Sequence, residues 1–219
     1  MNKKKIILVG CTPNNLSFVN VLVKLNYEVV AIVDDRNIKS SKFENIKILN
    51  YKQIQSFYKD QYFFIAIGDN YLRQKYVKKI KKILPNAFFP TICDPSSRIS
   101  EEINLGEGNI IGPFCNIGYN CVFKDFNLIS SHCAFNHDIE TGSFNFYGNG
   151  VKVLGGTNIS SYVSVYANSI ISRKLKISSN VVIGINSFVK SDISANSLNY
   201  GNPTKFIRKL KKNETLITS

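Results

Sequence analysis

The sequence predicts an α/β domain with a parallel sheet, followed by an all-β domain built as a parallel β-helix. In residues 1–95, short apolar runs alternate with segments whose apolar residues have helical spacing. From Ile99 onward an apolar residue returns at every sixth position. A period of six fits neither a strand, at 2.0, nor a helix, at 3.6, so the second part is predicted to be a stacked repeat. We therefore divide the chain into residues 1–95 and 96–219.

The N-terminal part has the order expected of βαβ units. We predict strands over residues 4–10, 27–35, 46–49 and 61–68, and helices over residues 14–26, 51–59 and 70–84. This alternation indicates a Rossmann-like parallel sheet with helices on both faces, in which ligands bind outside the carboxyl ends of the strands.

Three of these strand ends carry candidate ligand-binding residues, which are Gly10, Asp34, Asp35, Gly68, Asp69, Asn70 and Arg73. Each has a simpler explanation. Gly10 is followed by no further glycine in its loop, so it can be an ordinary tight turn, the aspartates can cap a turn, and Arg73 can be a solvated helix charge. Because all three ends meet at one edge of the predicted sheet, we expect a nucleotide-like ligand there.

The hexad repeat predicts about five triangular coils between residues 99 and 193, each rising about 4.8 Å. Of the sixteen positions from Ile99 to Val189, only Thr141 is not apolar. The fifth position of each hexad is mostly small or medium-sized. Three of the five cysteines (Cys115, Cys121 and Cys133) fall on this row, so we interpret them as reduced core residues rather than metal ligands.

Composition limits the partners of the protein. The chain has 28 Lys and Arg against 15 Asp and Glu, a net charge of +13, concentrated at residues 3–5, 75–82 and 205–212. No nucleic-acid reading motif accompanies this charge, so we predict no nucleic-acid partner. No apolar run of about 18 residues and no signal peptide are present, which predicts no membrane insertion and a cytoplasmic location.

Four features resemble one known group of proteins. They are the hexapeptide array, the N-terminal βαβ domain that ends in AIGDNYLR, the segment FNHDIETG and the tail GNPTKFIRK. Together they resemble the left-handed β-helix acyltransferases of the sialic acid O-acetyltransferase and sugar-nucleotide N-acetyltransferase family, which includes bacillosamine-pathway enzymes. The resemblance implies a left-handed β-helix, acetyl-CoA as co-substrate without a metal, and a homotrimer that binds acetyl-CoA between adjacent prisms.

The same resemblance assigns a role to the His-Asp pair in FNHDIETG. His137 would be the general base and Asp138 would orient its imidazole. A histidine suits this role because its ordinary pKa, about 6.5, leaves the neutral form dominant at cellular pH. On the sequence alone, His137 can equally be a surface residue or a buried one bonded to a carbonyl. His132 has no acidic neighbour and is expected to be structural.

The resemblance also implies a binding site for the acyl donor. The Gly155 N–H, one coil after His137, would contact the thioester oxygen, although LGGTN can also be a plain corner. Ala167, Gly184 and Ile185 would line the pantetheine arm, and Lys205 and Arg208 would bind the CoA phosphates unless the tail is only solvated. Two departures weaken a detailed transfer: Phe146 replaces a second histidine of some members, and GCTPNN replaces their G-x-x-G-H type turn.

The function predicted first is acetyl-CoA-dependent N-acetylation of a nucleotide-linked amino sugar for surface glycan assembly. O-acetylation of sialic acid or a related sugar stays open, because no residue separates an amine from a hydroxyl acceptor. A non-catalytic scaffold would leave the His-Asp pair without a role. A γ-type carbonic anhydrase needs three zinc-binding histidines, and the chain has two.

Overall fold

A computed structural model describes residues 3–12, 15, 17–36, 46–57 and 61–215. The chain divides into two compact units, one formed by residues 1–68 and 72–90 and the other by residues 69–71 and 91–219.

The first unit contains a four-stranded parallel sheet in the order β3-β2-β1-β4. Apolar residues of the two central strands, such as Ile7 and Ile32, are fully buried because helices and loops cover the sheet. The elements are β1 (Lys4–Val9), α1 (Val19–Lys24), β2 (Tyr27–Val33), β3 (Lys47–Leu49), a 3₁₀ turn (Tyr51–Gln53), α2 (Ile54–Phe57), β4 (Tyr62–Phe64) and α3 (Asn70–Ile83).

The predicted order of strands and helices in this unit is confirmed, although several elements are shorter than predicted. The helix predicted over residues 14–26 is helical at Val19–Lys24, and the one predicted over 51–59 begins as a 3₁₀ turn. Its end at residues 58–60, and Pro13 and Asn14 of the GCTPNN loop, lie outside the described residues.

The second unit is the predicted β-helix, built from three sheets that the chain visits in turn and that are parallel except at the last strand of the third. The first sheet contains β7 (Ile103–Leu105), β10 (Cys121–Phe123), β13 (Glu140–Thr141), β16 (Asn158–Ile159) and β19 (Lys176–Ile177). The second contains β6 (Arg98–Ile99), β9 (Asn116–Ile117), β12 (Ala134–Phe135), β15 (Lys152–Val153), β18 (Ile170–Ile171) and β21 (Phe188–Val189). The third contains β5 (Ile92–Cys93), β8 (Ile110–Ile111), β11 (Leu128–Ile129), β14 (Phe146–Tyr147), β17 (Ser164–Val165), β20 (Val181–Ile183), β22 (Ser197–Gly201) and β23 (Thr204–Lys209).

The apolar row predicted from the six-residue period forms the core of this unit. Ile111, Phe135, Val153 and Ile171 are fully buried or nearly so in one continuous cluster, and Cys115, Cys121 and Cys133 lie in the same cluster. Thr141, the one polar member of the row, is also buried. The phase of the repeat was therefore predicted correctly along the array.

The corners between faces follow the same period. From Gly108 to Asn186, every sixth residue has a left-handed φ, between +53° and +74°. Glycine and asparagine tolerate this conformation best, which explains Gly150, Gly156, Asn120 and Asn168 at such positions. At the corners that are not glycine, the repeated backbone conformation gives the Cα–Cβ bond the same orientation from coil to coil.

A column of buried asparagines runs along one edge of the core. Asn109, Asn127 and Asn145 occupy equivalent places in successive coils and are at most 1 % exposed. Asn109 Oδ1 accepts from the Asn127 backbone N–H at 2.9 Å, and Asn127 Oδ1 accepts from the Asn145 N–H at 3.0 Å. The side chains thus continue the hydrogen-bond ladder between coils.

The last strand of the third sheet runs against the others. β23 pairs with β22 in antiparallel fashion, and five of its six residues are exposed. Within the described residues, no helix is both long enough and apolar enough to cross a membrane.

Candidate active site

His137 and Asp138 meet at one corner of the β-helix. His137 comes two residues after the end of β12, and Asp138 takes the left-handed corner conformation, with φ +54°. His137 Nδ1 lies 2.7 Å from Asp138 Oδ2. The two side chains are 64 % and 52 % exposed, so the pair is open to a ligand from solvent.

Both carboxylate oxygens of Asp138 are engaged. The second oxygen, Oδ1, accepts a hydrogen bond from Asn120 Nδ2 at 2.7 Å. The hydrogen bond with His137, followed by the one from Asn120, lowers the pKa of Asp138 below its ordinary value. Asp138 is therefore an ionised acceptor at neutral pH.

This network defines the tautomer of His137. An ionised carboxylate can only accept hydrogen bonds, so neutral His137 carries its proton on Nδ1 and leaves a lone pair on Nε2. The free nitrogen is the one that can take a proton from a bound molecule.

Gly155 lies directly against the imidazole, one coil after His137, as the pairing of Phe135 with Val153 requires. A Cβ atom at Gly155 would lie 2.8 Å from both Cε1 and Nε2 of His137, closer than carbon atoms approach without displacement. The Gly155 carbonyl accepts from the Lys174 N–H at 3.0 Å, whereas its own N–H makes no hydrogen bond within the described chain. The Nε2 edge of the imidazole therefore lies against Gly155, a residue whose N–H is not used by the coil.

The residues predicted to line the pantetheine arm lie on later coils. The Ala167 carbonyl accepts from the Asn186 N–H at 2.9 Å, and Ile185 is 59 % exposed. Gly184 is buried, because the ring of Tyr200 packs onto its Cα. The Gly184 N–H and carbonyl bond to the Asn199 carbonyl and the Ser169 hydroxyl. Ile185 is the most accessible member of the set.

The two basic residues predicted to bind CoA phosphates differ in availability. Arg208 forms a two-point ion pair with Glu214, through Nη1 to Oε2 at 3.0 Å and Nη2 to Oε1 at 2.5 Å. These bonds, with one from the Lys211 N–H, lower the pKa of Glu214 to about 2. Lys205 is exposed on β23. An anion reaching Arg208 would have to compete with Glu214.

Asp34 connects two loops at the carboxyl end of the sheet in the first unit. Its Oδ2 accepts from the Cys11 N–H and from Arg36 Nη2, both at 2.8 Å. Burial alone would raise the pKa of Asp34, but the hydrogen bonds from Arg36 and Cys11 outweigh it and lower the pKa. Gly10, with φ +84°, precedes this contact. The predicted ligand carboxylate is thus used to hold the loop.

Asp35 is part of a second cluster at the same strand end. Its Oδ2 lies 2.5 Å from Lys79 Nζ, and its Oδ1 accepts from the Tyr51 N–H at 3.2 Å. Lys79 also lies over the Tyr51 ring, 3.7 Å from its centroid. Asp35 remains exposed, so it is the more accessible of the two aspartates.

The residues of the segment GDNYLR have different surroundings. Arg73 is 1 % exposed, and its Nη1 donates to the carbonyls of Ile67 and Gly68. In the other unit, Asp69 accepts from the Thr215 hydroxyl at 2.6 Å, and the buried Asn70 donates to Ser164 Oγ at 2.9 Å. The solvated helix charge considered for Arg73 is not observed, because the guanidinium packs inside the loop.

Sequence reasoning missed two polar residues with central positions. Asn120 contacts Asp138 from one coil earlier, at a separation of 18 residues. Asn15, fully buried, donates to the Val9 carbonyl at 2.7 Å and to the Gly10 carbonyl, and accepts from the Ala66 N–H at 2.6 Å. The signal for Asn120 was present, since the 18-residue coil places it beside Asp138, whereas nothing in the sequence pairs Asn15 with Ala66.

His132 lies at a different corner from His137. Its ring packs on Phe114, with 5.1 Å between ring centroids. Across the described residues, no three His, Cys, Asp or Glu side chains gather in a way that could hold a metal ion.

The N-terminal part of the chain is similar to a known protein family. Residues 5–80 match the family model described as the PglD N-terminal domain. The match covers most of the α/β part of the chain and agrees with the resemblance noted in the sequence.

Solved structures extend the similarity to the β-helix. The acetyltransferase domain of PglB from Neisseria gonorrhoeae, in complex with acetyl coenzyme A, is 18% identical with a TM-score of 0.85, over 94% of this chain and 100% of that one. PerB from Caulobacter crescentus, in complex with CoA and GDP-perosamine, is 20% identical with a TM-score of 0.84, over 93% and 97% of the two chains. WeeI from Acinetobacter baumannii is 19% identical with a TM-score of 0.84, over 94% and 100%.

The chain therefore has the fold of left-handed β-helix acetyltransferases that carry a Rossmann-like N-terminal domain. The fold class predicted from the sequence is confirmed.

Proposed function

We propose that the protein is an acetyl-CoA-dependent N-acetyltransferase that acts on a nucleotide-linked amino sugar for surface glycan biosynthesis. The observation that carries this proposal is the contact of His137 Nδ1 with Asp138 Oδ2 at 2.7 Å, with Gly155 against the same ring. The PglB domain binds acetyl coenzyme A, and a similar Caulobacter crescentus protein is a GDP-perosamine N-acetyltransferase.

In this proposal His137 acts as the general base. The amine nitrogen of the sugar attacks the thioester carbonyl carbon, forming the N–C bond, and His137 Nε2 takes the proton that the nitrogen loses. The C–S bond then breaks, and the proton returns to the departing sulfur. Asp138 holds the imidazole and stabilises its charged form. No acyl-enzyme forms.

In the same proposal, Gly155 supplies a hydrogen-bond donor for the thioester. Negative charge develops on the thioester oxygen during attack, and the N–H of Gly155 stabilises that charge. The lack of a side chain at Gly155 lets the ring and the N–H share one small area, so both groups can reach a single carbonyl.

We further propose that the second unit binds the acyl donor and the first binds the nucleotide sugar. Ala167, Gly184, Ile185 and Lys205 contribute to the donor site, whereas Arg208 does so only after leaving Glu214. Gly10, Asp35 and Gly68 remain the proposed acceptor-binding residues of the first unit. Asp69 and Asn70 belong to the second unit, where they contact Thr215 and Ser164, and are not included. Arg73 and Asp34 support the loops of this acceptor site. A homotrimer in the cytoplasm completes the proposal.

The test is release of free thiol from acetyl-CoA by the purified protein. The acceptor panel contains UDP-, dTDP- and GDP-linked 3-amino and 4-amino deoxysugars, with free and CMP-linked sialic acid. We expect turnover with one nucleotide amino sugar. Turnover only with a sialic acid would replace this proposal by O-acetylation, and bound CoA without turnover would leave another acceptor class.

The role of His137 is tested in the same assay. His137→Ala should lower turnover by about 10²- to 10⁴-fold, the contribution of a positioned base, with CoA affinity nearly unchanged. The matched control is His132→Asn, which keeps a residue that tolerates the left-handed φ of +60° at that corner and should retain turnover. Near-normal turnover of His137→Ala would remove His137 as the base.

A further inference from the structure

We infer that Asn120 is a positioning residue for the proposed base: by holding Asp138, it fixes the tautomer of His137. The inference rests on the proposed role of His137 as proton acceptor. Asn120 Nδ2 lies 2.7 Å from Asp138 Oδ1, and Asp138 Oδ2 lies 2.7 Å from His137 Nδ1. The three side chains form one continuous chain of hydrogen bonds.

The backbone places Asn120 and Asp138 in equivalent positions on successive coils. Both have the left-handed corner conformation, with φ +53° and +54°. The Asp138 N–H donates to the Tyr119 carbonyl at 3.1 Å, and the Asn120 N–H donates to the Glu102 carbonyl at 3.0 Å. Since the bases of the two side chains cannot shift along the axis, the amide of Asn120 stays within reach of the carboxylate.

The amide is needed because Asp138 lies on the surface. An exposed carboxylate rotates and exchanges its hydrogen bonds with water, so a single contact to His137 would hold it weakly. A second hydrogen bond, from Asn120 to the other oxygen, restricts rotation of the carboxylate and keeps Oδ2 directed at Nδ1. Nδ1 then keeps its proton, and Nε2 keeps its lone pair.

The column of residues that contains Asn120 and Asp138 also carries two charged side chains. Glu102 precedes Asn120 by one coil, and Lys174 follows Gly156 in the same column. Among the described residues, neither side chain contacts Asp138, whose own side-chain hydrogen bonds are to His137 and Asn120. We therefore expect the tautomer of His137 to depend on Asn120 and not on Glu102 or Lys174.

The test is NMR of the imidazole nitrogens in protein labelled with ¹⁵N-histidine, without any substrate. The chain has only two histidines, and His132→Asn assigns the remaining signals to His137. At a pH where the ring is neutral, we expect His137 in the Nδ1–H form. In Asn120→Gly, which removes the amide but tolerates the positive φ, we expect a mixture of the two tautomers.

The matched control is Asn168→Gly, another exposed corner asparagine with φ +58°. It should leave the His137 signals unchanged. Unchanged His137 signals in Asn120→Gly, or a wild-type His137 without the Nδ1–H form, would overturn the inference.

A kinetic arm separates this inference from the proposed function. Once the acceptor is known, Asn120→Gly should lower kcat about tenfold without changing KM for either substrate, and Asn168→Gly should not lower kcat. An unchanged kcat in Asn120→Gly would overturn the inference. If the tautomer responds to Asn120 while no acetyl transfer is found with any acceptor, the proposed function fails and the positioning role stands.

Discussion

At the scale of single residues, the candidate site depends on the absence of a Cβ atom at Gly155. Gly155 does not have a left-handed φ, so its conformation does not require glycine. The available space does, because any Cβ would lie only 2.8 Å from Cε1 and Nε2 of His137. The same atom would also shield the N–H that we propose as the donor to the thioester oxygen.

Gly155→Ala should therefore lower kcat/KM by about 10²-fold, equivalent to about 2.7 kcal/mol of transition-state stabilisation. The methyl group displaces the imidazole, while the coil itself stays paired. Gly112→Ala is the control, since a Cβ there meets only backbone, at 3.0 Å, away from His137. Equal losses of activity in the two variants would show general damage to the coil rather than displacement of the ring.

The sequence alone does not predict the contacts of single side chains well. His137 and Asp138 are adjacent in the sequence and in contact in the structure, but adjacency alone does not determine the contact, which only the family resemblance implied. Arg73 was interpreted as a ligand residue or a solvated charge, yet it is buried against the Ile67 and Gly68 carbonyls. The direction of a long side chain depends on the loop that packs around it, which local sequence does not determine.

At the scale of elements, polar side chains extend the hydrogen-bonding of the backbone. Asn109, Asn127 and Asn145 are spaced by the length of one coil, and this spacing could have been found in the sequence. They were overlooked because an asparagine in a row of small core residues resembles an interruption. In the structure the side-chain oxygen of each asparagine accepts from the backbone N–H one coil later, so that buried N–H has a partner.

Asn127→Ala should reduce the free energy of unfolding by about 2 to 3 kcal/mol, because the Asn145 N–H and Asn109 Oδ1 lose a buried partner. Urea denaturation followed by circular dichroism measures the change. Asn116→Ala, at an exposed outward position of β9, serves as the control and should change stability by less than about 0.5 kcal/mol. If both variants changed the free energy of unfolding by a similar amount, the asparagine column would not have a specific stabilising role.

The contact of Asp34 with Arg36 and the Cys11 N–H predicts a pH-dependent stability of the first unit. The pKa of Asp34 is lowered in the folded state, so its contribution is complete above its unfolded pKa of about 3.9 and is lost as the pH falls through the folded value. Asp34→Asn should lower the melting temperature at pH 7, and the difference from wild type should shrink below about pH 4. Glu28→Gln, an exposed carboxylate change on β2, should show no such trend.

At the scale of the whole molecule, the period of the sequence determined most of the fold. The hexad phase predicted the core row, and the alternation of apolar runs predicted the parallel sheet. The details of the loops at the strand ends were not predictable, because contacts such as the Cys11 N–H with Asp34 and Lys79 with Asp35 join segments 23 and 44 residues apart. The high positive charge remains compatible with phosphate-bearing small molecules, which the proposed function supplies.

Binding of the acyl donor should be visible in the stability of the intact protein, without any acceptor. Acetyl-CoA at about 100 times its Kd should stabilise the folded state by about 2.7 kcal/mol, because it binds only that state. His137→Ala should retain this shift in thermal unfolding, since the base is proposed to act on the acceptor. Absence of a shift with wild type at millimolar acetyl-CoA would contradict the proposed donor.

The antiparallel direction of β23 affects whether two β-helices can join end to end through the third sheet. A stack of parallel coils has no internal stop, and an open sheet edge can pair with another molecule to grow a filament. At the edge of the third sheet, β23 runs antiparallel and presents the exposed cations Lys205 and Lys209, whereas Arg208 is paired with Glu214. A chain continuing the parallel stack would meet a strand of the opposite direction that carries two exposed lysines, so we expect this edge to oppose filament growth.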